Sequence, residues 1–199
     1  MTRQSDIQMV TAGRIVREMG VLHDLAAQLG VSERTLRRAV ADETIRAERP
    51  SAHRLRIGHA EQEWVLSHWP IVAELRRELR TEPSVRLAVL FGSAARGCEH
   101  SHSDLDVLTD LDSPSPARLA GLEERLTAAV DRPVQLVLAA DAKASPGLLS
   151  DVLRDGRVLI DRDDLWKRLK RRQRQVASGW RRHDGTLVAE ALEPLQPAR

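Results

Sequence analysis

Two aspartates spaced two residues apart give the strongest indication of chemistry in this 199-residue sequence. Asp104 and Asp106 lie in the stretch SDLDVL, whose apolar residues are typical of a buried strand. Because side chains alternate between the two faces of a strand, both carboxylates are expected on one face. Two adjacent carboxylates suit Mg²⁺ when the phosphates of a substrate complete its coordination.

A turn of small residues precedes the two aspartates. The apolar run VRLAVLF at residues 85–91 predicts a strand, and Gly92 and Ser93 follow it directly. Such a turn lets backbone N–H groups approach phosphate oxygens closely. The sequence therefore predicts a phosphate-binding turn beside the pair of carboxylates.

The stretch LFGSAARGCEHSHSDLDVL as a whole resembles the minimal nucleotidyltransferases of the DNA polymerase β superfamily, including the antitoxin type. The resemblance implies Mg²⁺-dependent transfer of a nucleoside monophosphate, with AMP favoured, from a nucleoside triphosphate to a hydroxyl. It implies that Asp104 and Asp106 hold one or two Mg²⁺ ions and are catalytic together with Ser93. It further implies that Gly92 and Ser93 cradle the phosphates and that Arg96 contacts them. The implied acceptor is a tyrosine of a partner toxin or the end of an RNA.

One position departs from the pattern of this family. The third carboxylate of the family would fall in PVQLV, where this chain has Gln135, which we place among the nucleotide-binding residues. Glutamine is a weaker ligand and cannot act as a general base. Asp110 shares the strand face but lies about 13 Å beyond Asp106, while Glu99 lies in a loop that could reach the site. The alternative interpretation is a DNA-binding transcriptional regulator that binds nucleotide or a partner with little or no transfer.

The elements around this motif predict a layered α/β arrangement. Strands over 133–139 and 157–160 alternate with helices over 115–130 and 145–156. A helical pattern over 60–80 precedes them, and Pro70 is expected to kink or split it. We expect an α+β or α/β fold, in which an N-terminal helical domain precedes a small nucleotidyltransferase domain with a mixed sheet and flanking helices.

The N-terminal region resembles a DNA-binding helix-turn-helix. Within residues 22–40, Ala26, Gly30 and Leu36 follow the order of small residue, turn glycine and apolar anchor. Ser32 is expected to cap the second helix. The outward residues of that helix are the expected DNA contacts: Arg34, Thr35, Arg37 and Arg38. A further helix is expected over 5–18, and residues 43–57 form either a hairpin with a turn around Pro50 and Ser51 or a linker.

Charge divides the chain into segments. Residues 1–60 carry a net charge of +3, residues 85–165 a net −5, and residues 166–199 a net +6. A basic helix is predicted over 164–176, as a packing helix or as a surface for nucleic acid or an acidic partner. We divide the chain into a helix-turn-helix domain (1–58), connecting helices (59–83), a nucleotidyltransferase domain (84–165) and a basic C-terminal helix and tail (166–199). Leu187, Val188 and Leu192 are expected to dock a short helix.

Composition excludes several classes of protein. The single cysteine, Cys98, excludes an intramolecular disulfide and a cysteine-based zinc site. No apolar run is long enough to span a membrane, and the first ten residues lack the apolar core of a signal peptide. We therefore expect a cytoplasmic protein whose partners are DNA, a nucleoside triphosphate and a toxin protein or RNA. The sequence leaves open whether it is a monomer or a homodimer.

Overall fold

The computed structural model describes residues 20–51, 54–100, 103–178, 180–183 and 186–189. The helices are α1 (which includes residues 20–29), α2 (Glu33–Ala41), α3 (His59–Thr81), α4 (Gly92–Arg96), α5 (Pro116–Val130), α6 (Ala139–Ala144), α7 (Pro146–Asp155) and α8 (Leu165–Ser178). The strands are β1 (Glu48–Ser51), β2 (Arg54–Arg56), β3 (Val85–Phe91), β4 (Leu105–Leu111), β5 (Val134–Leu138), β6 (Arg157–Asp161), β7 (Trp180–His183) and β8 (Thr186–Ala189). The helix expected over 5–18 lies outside the described residues.

A four-stranded mixed sheet forms the centre of the molecule. Its strands follow the order β5-β4-β3-β6, in which β4 and β5 are parallel and the other pairs are antiparallel. The inner strands β3 and β4 are almost entirely buried because helices cover both faces of the sheet. The fold is therefore the mixed α/β layer expected from the sequence.

Helices cover the sheet on both faces. On one face, Leu75 and Leu79 of α3 pack with Leu122 and Leu126 of α5, and all four are fully buried. The other face packs against α6, α7 and α8 through the buried residues Ala142, Val152 and Trp166. Leu25 of α1 and Leu36 of α2 belong to the same apolar cluster as α3 and α5. The N-terminal helices therefore share a core with the sheet.

Local signals place the N-terminal helices as expected. Gly30 adopts a left-handed φ of +65° between α1 and α2, a conformation that glycine adopts without steric cost. The Ser32 hydroxyl accepts a hydrogen bond from the Thr35 N–H at 3.1 Å and so caps α2. After α2, β1 and β2 form a hairpin, the first of the two alternatives left open for this segment, but Ser51 pairs with Arg54. Pro50 and Ser51 therefore belong to the first strand, not to the turn.

Pro70 was expected to kink or split the helix over 60–80, and the structure shows no split. The segment between the N-terminal helices and the sheet is a single helix, α3, with Pro70 in its interior. Proline removes one backbone donor and leaves the carbonyl of Leu66 without its helical partner. Both Pro70 and Leu66 are exposed, so water can satisfy that carbonyl.

Two short helices and a C-terminal hairpin escaped the sequence analysis. α4 and α6 contain five and six residues, too few to show a helical period. Leu187 and Val188 lie in β8, which pairs with β7, so the short helix expected there is wrong; Leu192 lies outside the described residues. None of the helices that the structure describes is long and apolar enough to cross a membrane.

Candidate active site

The two aspartates lie where three strands meet. Asp104 directly precedes β4 and is exposed, and Asp106 is half-buried in β4. The register places Asp106 beside Phe91, the last residue of β3, and beside Gln135 of β5. Since side chains alternate along the strand, both carboxylates occupy the face that α6 and α7 cover further along the sheet.

Gly92 lies against the carboxylate of Asp106. Gly92 has a φ of +73°, and a Cβ at this position would be only 2.3 Å from Oδ2 of Asp106. Real Cβ atoms do not approach another atom this closely, so only glycine fits here without displacing Asp106. The glycine–serine turn and the aspartate pair therefore form one site.

The electrostatics of this site favour a cation. Burial raises the pKa of Asp106 above its usual value, and the neighbouring charge of Asp104 raises it further. The positive charge of Arg96 lowers the pKa of Asp106 and so opposes this shift, because its guanidinium lies within electrostatic range of that carboxylate. The Arg96 side chain is 44% exposed, and its Nη1 lies 3.6 Å from Oδ2 of Asp155. A bound divalent cation would relieve the repulsion between the two carboxylates.

The third expected ligand position carries only an amide. Gln135 is exposed and is the direct neighbour of Asp106, so it occupies the place that the resemblance assigns to a third carboxylate. Within the part of the chain that the structure describes, no group of three or more His, Cys, Asp or Glu side chains forms a metal site. Two carboxylates nevertheless fit Mg²⁺ that also binds phosphate oxygens, because Mg²⁺ uses few protein ligands with nucleotides.

Glu99 does not replace the missing carboxylate. Its Oε1 lies 2.6 Å from Nε2 of His68 on α3 and 3.8 Å from Nη1 of Arg132. The side chains of Glu99 and His68 are only 13% and 12% exposed. The Glu99 carboxylate is therefore engaged by two cationic or proton-donating groups.

Two residues that the sequence analysis did not assign to the site hold α4. Trp64 Nε1 donates a hydrogen bond to the Ala94 carbonyl at 2.8 Å, and Arg157 Nε donates one to the Ala95 carbonyl at 2.7 Å. The helical pattern over 60–80 includes Trp64 among its apolar residues but gives no sign of this hydrogen bond. An arginine directly before the apolar run VLI, where a buried residue is expected, was the available signal for Arg157.

The expected DNA contacts lie together on α2. Arg34, Thr35, Arg37 and Arg38 are all exposed. Arg37 also donates a hydrogen bond from Nε to Glu33 at 2.9 Å, and the Thr35 hydroxyl lies 2.8 Å from that of Ser32. The helix α2 therefore presents its polar face to solvent, while Leu36 on its other face packs into the apolar cluster.

Comparison with known proteins identifies the family of this chain. The sequence model described as "Polymerase beta, Nucleotidyltransferase" matches residues 73–165. The protein adenylyltransferase MntA of Thermococcus cleftensis is 36% identical over 86 residues, which cover 43% of this chain and 85% of that protein. The chain belongs to the polymerase β nucleotidyltransferase family. It is therefore a nucleotidyltransferase, as the glycine–serine turn and aspartate pair predicted.

Two of the solved structures to which the chain is similar are toxin–antitoxin complexes. One contains AMP-PNP and matches with a TM-score of 0.46 and 25% identity, over 54% of this chain and 86% of its own. Another is a tri-AMPylated HEPN toxin of Shewanella oneidensis in complex with the MNT antitoxin. It matches with a TM-score of 0.42 and 23% identity, over 54% of this chain and 84% of its own.

Proposed function

We propose that this protein transfers AMP from ATP to a hydroxyl of a partner protein, and that Asp104 and Asp106 carry the reaction. The observation that supports this most directly is the contact between Gly92 and the Asp106 carboxylate. Because the turn lies directly against a carboxylate, a triphosphate can contact its backbone N–H groups and, through a cation, the two carboxylates at one point.

Each residue of the site has a proposed role. Asp104 and Asp106 hold Mg²⁺, which supplies charge neutralisation for the triphosphate when it is bound. Gly92 and Ser93 contact the phosphates through the turn, and Arg96 reaches them from the exposed end of α4. Gln135 orients the nucleotide through its amide, which both donates and accepts hydrogen bonds.

The acceptor we favour is a protein. The relative from Thermococcus cleftensis is named a protein adenylyltransferase, which favours AMP as the group transferred and a protein hydroxyl over an RNA end. Within the class that the sequence resembles, that protein is a toxin and the hydroxyl belongs to a tyrosine. We therefore propose an antitoxin that neutralises its partner by adenylylation in the cytoplasm.

We also propose that residues 1–58 bind DNA. The exposed polar face of α2 supports this, because Arg and Thr side chains suit phosphate and base-edge contacts. In this division residues 59–83 connect the domains, residues 84–165 carry the transferase, and residues 166–199 form a basic C-terminal region. An antitoxin that represses its own operon would use both activities.

The second candidate is a regulator that binds nucleotide or a partner without efficient transfer. The observation that favours it is Gln135, which occupies the position beside Asp106 and cannot accept a proton as a general base. Among the described residues, Glu99 does not supply that function because it is engaged by His68. Only an assay of turnover separates the two candidates.

The test is transfer of label from α-labelled ATP in the presence of Mg²⁺ and the protein encoded beside this one. We expect wild-type protein to label the acceptor and the double variant Asp104→Asn/Asp106→Asn to lose labelling while it stays folded. Asp110→Asn, on the same strand further from the turn, is the matched control and should retain activity. Equal labelling by the wild type and the double variant would refute the assignment.

A further inference from the structure

The helix α4 depends on side chains from distant parts of the chain. It has five residues, too few to be stable alone, and its terminal carbonyls need partners. The Gly97 N–H donates to Ala94 at 3.2 Å, and Trp64 adds a second hydrogen bond to the same carbonyl at 2.8 Å. Arg157 binds the next carbonyl, that of Ala95. Trp64 lies on α3 and Arg157 begins β6, so a helix and a strand that are distant in the sequence both hold this turn.

Arg157 itself is fixed by a buried network. Its side chain is 2% exposed, and Nη2 donates to Oε2 of Glu61 at 2.9 Å while Nη1 contacts the other oxygen. Its Cζ lies 3.3 Å from the centroid of the Trp64 ring, a close cation–π contact. A buried guanidinium is costly unless it is paired and hydrogen-bonded. The partners of Arg157 are the Ala95 carbonyl in α4, the side chains of Glu61 and Trp64 in α3, and a carbonyl just after the end of α2.

The same network extends beyond α4 in two directions. Beyond α4, the indole of Trp64 stacks on the ring of His68 at a centroid distance of 4.8 Å, and His68 contacts Glu99. On the other side, Arg157 Nη1 donates to the carbonyl of Thr44 at 3.3 Å. The segment after α2 and the glycine–serine turn are therefore linked through one buried side chain.

We propose that Trp64 and Arg157 are positioning residues of the transferase that hold the Gly92–Arg96 turn in the geometry that binds nucleotide. This inference rests on the proposed function, in which that turn contacts the phosphates. Trp64 lies before residues 73–165, the segment that matches the family, so α3 reaches the turn from outside that segment. The N-terminal half of α3 is accordingly part of the active site and not merely a connector.

Trp64→Phe tests the hydrogen bond because phenylalanine keeps the ring but lacks the indole N–H. Trp69→Phe is the matched control: Trp69 is buried on the same helix and has no contact with α4 among the described hydrogen bonds. In the full-length protein we expect Trp64→Phe to raise the KM for ATP by about tenfold, the equivalent of one lost hydrogen bond, with little change in kcat. Trp69→Phe should leave the KM within about twofold, since it removes packing alone.

Hydrogen exchange without nucleotide gives a second readout. The amides of Gly97 and Cys98 are bonded to carbonyls of α4, so they should exchange faster in Trp64→Phe than in Trp69→Phe at equal global stability. If both variants lose stability but neither changes the KM or the exchange of these amides, Trp64 is only a core residue and the proposal is wrong. If wild-type protein binds no ATP, the proposed function fails. The exchange of these two amides then decides alone whether Trp64 orders the turn.

Discussion

Substituting Gly92 by alanine tests how closely the turn and the metal-binding carboxylate depend on each other. The added Cβ would lie 2.3 Å from Asp106 Oδ2, whereas ordinary contacts begin at 3.4 Å. The carboxylate must therefore move by about 1 Å, a displacement that typically costs on the order of 10²-fold in rate. The left-handed backbone at φ +73° adds strain of about 1–2 kcal/mol to the folded state.

Gly30→Ala is the matched control for this variant. Gly30 has a similar φ of +65°, but a Cβ there meets no atom within 4 Å. Both variants should lose about 1–2 kcal/mol in the free energy of unfolding measured by urea denaturation. Only Gly92→Ala should lose about 10²-fold in kcat/KM for ATP in the labelling assay. Full activity of Gly92→Ala at reduced stability would show that Asp106 is not constrained by this turn.

Three further predictions concern the rest of the chain. Gln135→Asp should raise the transfer rate by about 10²–10⁴-fold if the missing carboxylate limits turnover. If the wild-type protein already transfers AMP rapidly and the variant has the same rate, the regulator interpretation loses its main support. If Arg38 contacts a base, Arg38→Ala should weaken operator binding by about 1–3 kcal/mol. If it contacts a phosphate, the slope of log K against log salt concentration should fall in magnitude by about one. The control variant Arg118→Ala on α5 should change neither quantity. Glu43→Gln should lower stability by about 1 kcal/mol at pH 7, because Glu43 accepts hydrogen bonds from Trp166 and Lys170. Burial raises the pKa of Glu43, but those hydrogen bonds and the positive charges of Lys170 and Lys167 outweigh it and hold the pKa below its usual value. The stabilisation is therefore present above the usual pKa of a glutamate and is lost as the pH falls through the lower pKa of the folded state, so the gap between Glu43→Gln and wild type in urea denaturation should close there.

The sequence by itself determined the elements whose cause is local. The run from Val85 to Phe91 became β3 at those residues because six of its seven side chains, all but that of Arg86, are apolar and suit a strand buried on both faces. Ser32 and Ser115 mark the starts of α2 and α5 because each hydroxyl caps the following backbone N–H groups. The pairing of Asp104 and Asp106 on one face followed from the two-residue period of a strand alone.

Only the tertiary structure decided which distant residues complete the site. The family resemblance assigned Gln135 to the third carboxylate position, but only the register between β4 and β5 showed that it is the direct neighbour of Asp106. Trp64 and Arg157 lie 93 positions apart, so a sequence period could not show that both bind carbonyls of α4. The sequence allowed the Glu99 loop to reach the site, but the Glu99 carboxylate contacts His68 instead. A buried carboxylate needs a nearby donor in space, and the sequence around Glu99 does not show which residue supplies it.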